Sequence, residues 1–182
     1  MRADRGERVF SRDAAREQVA AWRRAGEVVV LANGVFDVLH VGHARHLADA
    51  RALGTRLVVA VNGDRSAAAL KGVGRPVVGA ADRARLIAAL RPVDLVVVFE
   101  EPTVEDLIAE LRPAVHAKGT DYRTDTVPER EAAAAAGTVV AITGDPKQHA
   151  SRELVERVRA RLRGEGSAPG DAGPTRAGSR GA

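Results

Sequence analysis

The stretch Val28–Gly54, VVVLANGVFDVLHVGHARHLADARALG, constrains the fold more than any other part of the chain. Val28 to Ala32 is a short run of apolar, largely β-branched residues. It is too short and too uniformly apolar for a surface helix, and suits a strand buried on both faces of a parallel sheet. Asn33-Gly34 breaks the run. From Gly42 onward Ala44, Leu47 and Ala48 recur at helical spacing and predict an apolar stripe, with Gly54 as the stop. The order is strand, turn, helix, and His40-Val41-Gly42-His43 falls at the helix amino terminus.

The first turn of a helix has unpaired N–H groups and about half a positive charge, so it attracts phosphate. Gly42 removes the side chain that would hold a phosphate away from the backbone. His40 and His43, three residues apart, can set both imidazoles on one side of a bound group and stabilise charge as it redistributes. Two plainer readings stand beside this one: ordinary helix-start histidines, or a metal held by His40, His43 and His46. The chain has no cysteine, and zinc sites usually draw on further ligand types, so no metal site is expected.

NGVFDVLHVGH resembles the GxFDxxHxGH signature of the small nucleotidyltransferases known as the cytidylyltransferase-like group. These enzymes transfer a nucleoside monophosphate from a triphosphate to a phosphorylated substrate. HxGH alone is weak, but joined to Gly34-Val35-Phe36-Asp37 at this offset and at a strand-to-helix junction it is specific. Within the group, residues 28 to 161 are most similar to the heptose 1-phosphate adenylyltransferases, which make ADP-heptose. The resemblance implies nucleotide contacts from Gly34, Val35, Phe36, Asp37, Gly42 and His43, and catalysis by His40 and His43.

Before this stretch, SRDAAREQVAAWRRA (11 to 25) predicts a helix capped by Ser11 or Asp13, with Trp22 as a core anchor, packed on the sheet as a lead-in. After it, Arg56–Asn62 predicts a second buried strand and a compact right-handed βαβ unit. Ligands of open parallel sheets bind at the carboxyl ends of the strands, where Asn62-Gly63-Asp64 lies. The resemblance makes Asn62 and Asp64 substrate-binding; a simple turn is the alternative. Residues 67 to 80, with three glycines and a proline, predict an irregular loop. Its KGVGRP matches a KGxGRP stretch of the relatives, implying that Lys71 clamps the triphosphate. A solvated lysine is the plainer reading.

ADRARLIAAL (81 to 90) predicts a helix with Asp82 in its first turn. The relatives' DRxxxLxxLxxVDxVV pattern is matched by Asp82, Arg83, Leu86, Leu90, Val93, Asp94, Val96 and Val97, implying that Arg83 contacts phosphate. Arg83 in a surface ion pair with its neighbour is the alternative. Asp94–Phe99, 115 to 118 and Thr138–Thr143 predict three more strands, with helices at 103 to 111 and 128 to 136. Lys118-Gly119-Thr120-Asp121-Tyr122 matches a KGxDY stretch, implying nucleotide contacts from Lys118 and Gly119 and substrate contacts from Asp121 and Tyr122. A last helix carries Leu154, Val155, Val158 and Leu162 on one stripe. At its start the relatives have a hydroxyl-rich signature; here Ser151 remains as cap and nucleotide contact, with Arg152 offering charge to the substrate.

The expected architecture is one α/β, Rossmann-like domain (28 to 163) with a parallel five-stranded sheet in the order 3-2-1-4-5. An N-terminal lead-in (1 to 27) precedes it, and a Gly/Pro/Ser-rich tail (164 to 182), expected to be disordered, follows. Aromatics are only 3% of residues, so the core must be Ala, Val and Leu. The 28 basic residues are interleaved with 24 acidic ones, without a basic run laced with aromatics, which argues against a nucleic-acid partner. No apolar run reaches membrane-spanning length and MRADRGERVF lacks a signal-peptide core, so no membrane partner and a cytoplasmic location are expected. The GxGxxG fingerprint is absent after the first strand, which argues against a dehydrogenase. The resemblance implies ATP as donor, with CTP and glycerol 3-phosphate as the alternative pair, and a heptose 1-phosphate acceptor. It also implies Mg²⁺ carried on the triphosphate, a homodimer, and a separate sugar kinase upstream. A non-catalytic nucleotide-binding module is the rival of another class.

Overall fold

The computed structural model describes residues 8–123, 126–144 and 151–163. Six strands, β1 (Val9–Phe10), β2 (Val29–Gly34), β3 (Arg56–Asn62), β4 (Leu95–Phe99), β5 (Val115–Gly119) and β6 (Val139–Thr143), form one parallel sheet in the order β1-β4-β3-β2-β5-β6. The expected class and the order of the five expected strands hold, but the sheet has a sixth strand. β1 pairs with β4 through Val9↔Val96 and Phe10↔Val97. Two residues are too few to show an alternation in sequence. The β2 ladder also runs through the Asn33-Gly34 break, pairing Gly34 with Val61.

The helices are α1 (Arg12–Arg24), α2 (Val41–Ala52), α3 (Asp64–Lys71), α4 (Ala80–Ala88), α5 (Glu105–Leu111), α6 (Arg130–Ala135) and α7 (Ser151–Leu162). Ser11 caps α1 by accepting the Ala14 N–H. α3 corrects the expected irregular loop at 67 to 80. Its SAAALK run has high helical propensity, and the glycines begin only at Gly72, whose φ of 88° ends the helix. In α2 the buried residues are His46, Leu47 and Ala50, not the expected stripe of Ala44, Leu47 and Ala48. Alanine on every side leaves the buried face to be chosen by the partners of His46. Gly54 also has another role than a helix stop. A Cβ there would lie 2.5 Å from the Val28 carbonyl oxygen, so glycine permits the close approach of α2's end to β2.

Alternate residues of the strands fill two cores. Val29, Leu31, Val58, Ala60, Leu95 and Val97 pack with Ala15 and Val19 of α1 and with Leu107, Ile108 and Leu111 of α5. Val30, Ala32, Leu57, Val59, Val61 and Val96 pack on the other face with Leu47 and Ala50 of α2 and Ala84 and Ile87 of α4. Trp22 is partly buried against the first core, with the Arg56 guanidinium 5.3 Å from its ring centroid. Among the described residues, no helix is long and apolar enough to cross a membrane. From Arg152 onward helix α7 falls in a second compact unit. The expected tail lies outside the described residues.

Candidate active site

Between β2 and α2 the backbone is forced into an unusual path. Phe36 and Val38 have φ of 51° and 59°, a region costly for any side chain and most of all for β-branched valine. Burial holds the turn. Val35 and Phe36 are 7% and 5% exposed, and Asp37 is 2% exposed. The Asp37 carboxylate accepts the N–H groups of Val77 and Val78 and pairs with Arg75 at 2.6 Å. Asp37 is therefore engaged in pinning the 75–78 segment over the turn. Gly34 gives room for the Phe36 ring, which would stand 3.2 Å from a Cβ there.

Phe36 in turn sets His43: their rings meet edge-on with centroids 5.3 Å apart. His40, at the N-cap of α2, stacks on His43 at 3.8 Å and 25°. The His43 Nδ1 accepts the His40 backbone N–H at 3.4 Å, so in the neutral ring the proton sits on Nε2. Burial, followed by the neighbouring His40, His46 and Lys71 charges, lowers the His43 pKa to about 3. At neutral pH His43 is thus an uncharged Nε2–H donor at a helix amino terminus with no acidic residue in its first turn. His46 does not join the pair. It is 9% exposed and its Nδ1 lies 2.7 Å from the Thr143 hydroxyl, which docks α2 on β6. Among the described residues, no three His, Cys, Asp or Glu side chains are grouped to hold a metal.

Beyond β3, Asn62 is buried and donates to the Ser66 hydroxyl at 3.3 Å, while Asp64 opens α3 and pairs with Arg83 at 2.8 Å. Arg83 is fully buried. Its guanidinium donates to the Val78 and Val35 carbonyls as well as to Asp64, so it braces the histidine-bearing turn from beneath. The surface ion pair weighed for Arg83 belongs to Arg85, which meets Asp82 at 2.9 Å. Lys71 stands exposed on the last turn of α3 rather than in a loop.

At the end of β5, Lys118 is 6% exposed and pairs with buried Glu129 at 3.0 Å. Its Nζ also donates to Asn33 Oδ1 at 3.3 Å and lies 4.8 Å from the Tyr122 ring centroid. A Cβ on Gly119 would meet open space, and Asp121 and Tyr122 are exposed in the turn that follows. Ser151 and Arg152 start α7, but their side chains lie outside the described residues, and α7 belongs with the separate unit.

The cytidylyltransferase-like family model matches residues 31–144, from β2 to the end of β6. The chain belongs to this family. Members are nucleotidyltransferases, and the stacked histidines on α2 fall within the matched span. Among curated relatives, the bifunctional protein HldE of Magnetococcus marinus is 45% identical over 146 residues, covering 80% of this chain and 30% of that protein. HldE of Cronobacter sakazakii is 50% identical over 126 residues, covering 69% and 26%. The chain thus spans under a third of the length of these relatives. Among solved structures, a lipopolysaccharide core biosynthesis protein from Thermoplasma volcanium superposes with a TM-score of 0.58 at 27% identity. That match covers 67% of this chain and all of the other.

Several residues that the structure brings to this candidate site carry little signal in sequence. Asn33 looked only like a strand terminator, and Glu129, His116 and Thr143 stood in no motif. Their partners lie 11 to 97 residues away in sequence. A lone buried histidine in a strand, as at His116, was the one available signal.

Proposed function

We propose that this chain transfers AMP from ATP to a heptose 1-phosphate, giving ADP-heptose and pyrophosphate. The observation that carries the transfer step is the His40–His43 pair at the start of α2, with His43 held as a neutral Nε2–H donor; the choice of ATP and a heptose 1-phosphate rests on the likeness to the HldE relatives. An oxygen of the acceptor phosphate attacks the α-phosphorus of ATP. The bond from that phosphorus to the β-bridging oxygen breaks, and pyrophosphate leaves. The acceptor phosphate, with a second pKa near 6, is already largely dianionic at neutral pH, so no strong general base is needed. Catalysis reduces to alignment and charge stabilisation. The His43 Nε2–H and the first-turn amides of α2 donate to the α-phosphate oxygens.

Lys71 supplies charge to the β- and γ-phosphates, and Gly42 and Gly119 admit phosphate close to the backbone. Arg83 and Asp37 act in this scheme by holding the turn rather than by touching phosphate. Asp121 and Tyr122 face the sugar; the family resemblance also assigns a nucleotide contact to Ser151 and a substrate contact to Arg152. Magnesium would ride on the triphosphate, since the nearby carboxylates of Asp37, Asp64 and Glu129 pair with Arg75, Arg83 and Lys118 rather than forming a cage. The reading places the protein in the cytoplasm as a homodimer, with a sugar kinase acting upstream.

The cytidylyltransferase-like description makes CTP the alternative donor, and with glycerol 3-phosphate as acceptor it forms the second reading. Pyrophosphate release with each nucleotide against each acceptor decides between them. ATP with heptose 1-phosphate is the expected active pair. CTP with glycerol 3-phosphate would replace the substrates and keep the reaction, and nucleotide binding without release would favour a non-catalytic module.

A further inference from the structure

The sheet reverses its winding between β2 and β5, and in open α/β sheets ligands sit in the crevice outside the strand ends at that point. Asn33 and Lys118 stand on either side of it. Asn33 Oδ1 receives two donors from β5, His116 Nε2 at 3.1 Å and Lys118 Nζ at 3.3 Å. The Lys118 ammonium fixes the amide orientation, since a swapped carboxamide would set its N–H₂ against that donor, and with Oδ1 so placed the His116 ring donates from Nε2. The geminal Nδ2 is then turned away from β5. It makes no hydrogen bond among the described residues and is not a buried orphan. His116, Lys118 and Glu129 are 0%, 6% and 4% exposed, whereas Asn33 is half-buried, so Asn33 is the member of this group open to the crevice.

We infer that the Asn33 carboxamide N–H₂ binds a phosphate oxygen of a ligand in the β2/β5 crevice, with His116, Lys118 and Glu129 as positioning residues that fix it. A charge-assisted bond from the Lys118 ammonium to Oδ1 polarises the amide and strengthens Nδ2–H as a donor to an anion. The phosphate comes from the nucleotide or from the sugar phosphate, and the inference rests on the reaction proposed above.

Asn33→Asp separates the two faces of the side chain. It keeps an acceptor for His116 and Lys118 and puts an anionic oxygen where the N–H₂ was. The expected result is a melting temperature near that of the wild type with kcat/KM lowered about 100-fold. The substrate whose KM rises identifies the source of the phosphate. Wild-type kcat/KM for both substrates would overturn the inference. Should Asn33→Asp not fold, Asn33→Ala, which keeps the Lys118–Glu129 pair, carries the same readout. His116→Leu should lower kcat/KM in the same direction, and His116→Gln, whose amide N–H can reach the same oxygen, should restore it; identical kinetics for the two variants would remove His116 from the positioning set. If the wild type releases no pyrophosphate with any pair, the proposed reaction fails. The inference is then read by calorimetric titration with ATP, CTP, pyrophosphate and heptose 1-phosphate, where Asn33→Asp must weaken at least one about tenfold. Equal affinities, or no binding by the wild type, overturn it.

Discussion

The two junctions at the carboxyl ends of β2 and β5 are built in opposite ways. At β2–α2 the groups proposed to face a ligand come from one contiguous segment, Gly34 to His43, and distant residues brace it: Val77 and Val78 through Asp37, and Arg83 through the Val35 carbonyl. At the end of β5 no contiguous segment suffices. The Lys118 ammonium is consumed by Glu129 and Asn33, so what that side offers a ligand depends on residues brought together from β2, β5 and the start of α6. A local turn under strain places donors within its own loop. A buried ion pair places them only if every member is present, since an unpaired buried charge is costly.

The contrast is broken most sharply at its first member. His43→Ala should lower kcat by about 10³-fold while leaving the thermal midpoint within a few degrees, because it removes a donor to the reacting phosphate and no buried ion pair. Steady-state kinetics with a melting curve checks both halves. The second junction should behave in reverse. Glu129→Ala strands the Lys118 ammonium and should cost about 3 kcal/mol of stability by urea denaturation.

Stability at both junctions should fall in acid. Burial lowers the pKa of His43 to about 3 and of His116 to about 4, and also lowers that of His46. In the unfolded chain all three titrate near 6.5. Between that value and the folded values the unfolded state binds more protons, so stability falls as pH drops below about 6.5 and is level above it. Each histidine contributes up to about 1.4 kcal/mol per pH unit. Urea midpoints from pH 7.5 to 4.5 should show this slope, and His116→Leu should reduce it. The smallest effect is expected at Arg85→Ala. It breaks an exposed pair with Asp82 and should change stability by under about 0.5 kcal/mol, with no change in kcat.

How far the sequence could be read follows the same division. The apolar runs at 28–32, 56–62 and 94–99 and the GVFDVLHVGH segment are local signals that mark strands and the histidine pair, and the sheet order follows from the Rossmann-like class they imply. What a side chain does after long-range packing is not local. Arg83 reads as a phosphate ligand in a helix's first turn, yet its burial follows from Asp64 and Val35 arriving from other elements. His46 looks like a third member of a histidine row, and only β6 reveals its partner. The alanine-rich stretches at 66–71 and 44–52 leave helix extent and buried face undecided, because alanine fits either side of a helix.

The most direct test of the account is pyrophosphate release by the purified wild-type chain and by His43→Ala, with ATP and heptose 1-phosphate in the presence of magnesium. The account predicts turnover by the wild type and a loss of about 10³-fold in a variant that still melts cooperatively. Near-normal release by His43→Ala would contradict the assignment of the stacked histidines as the group that stabilises the transferring phosphate.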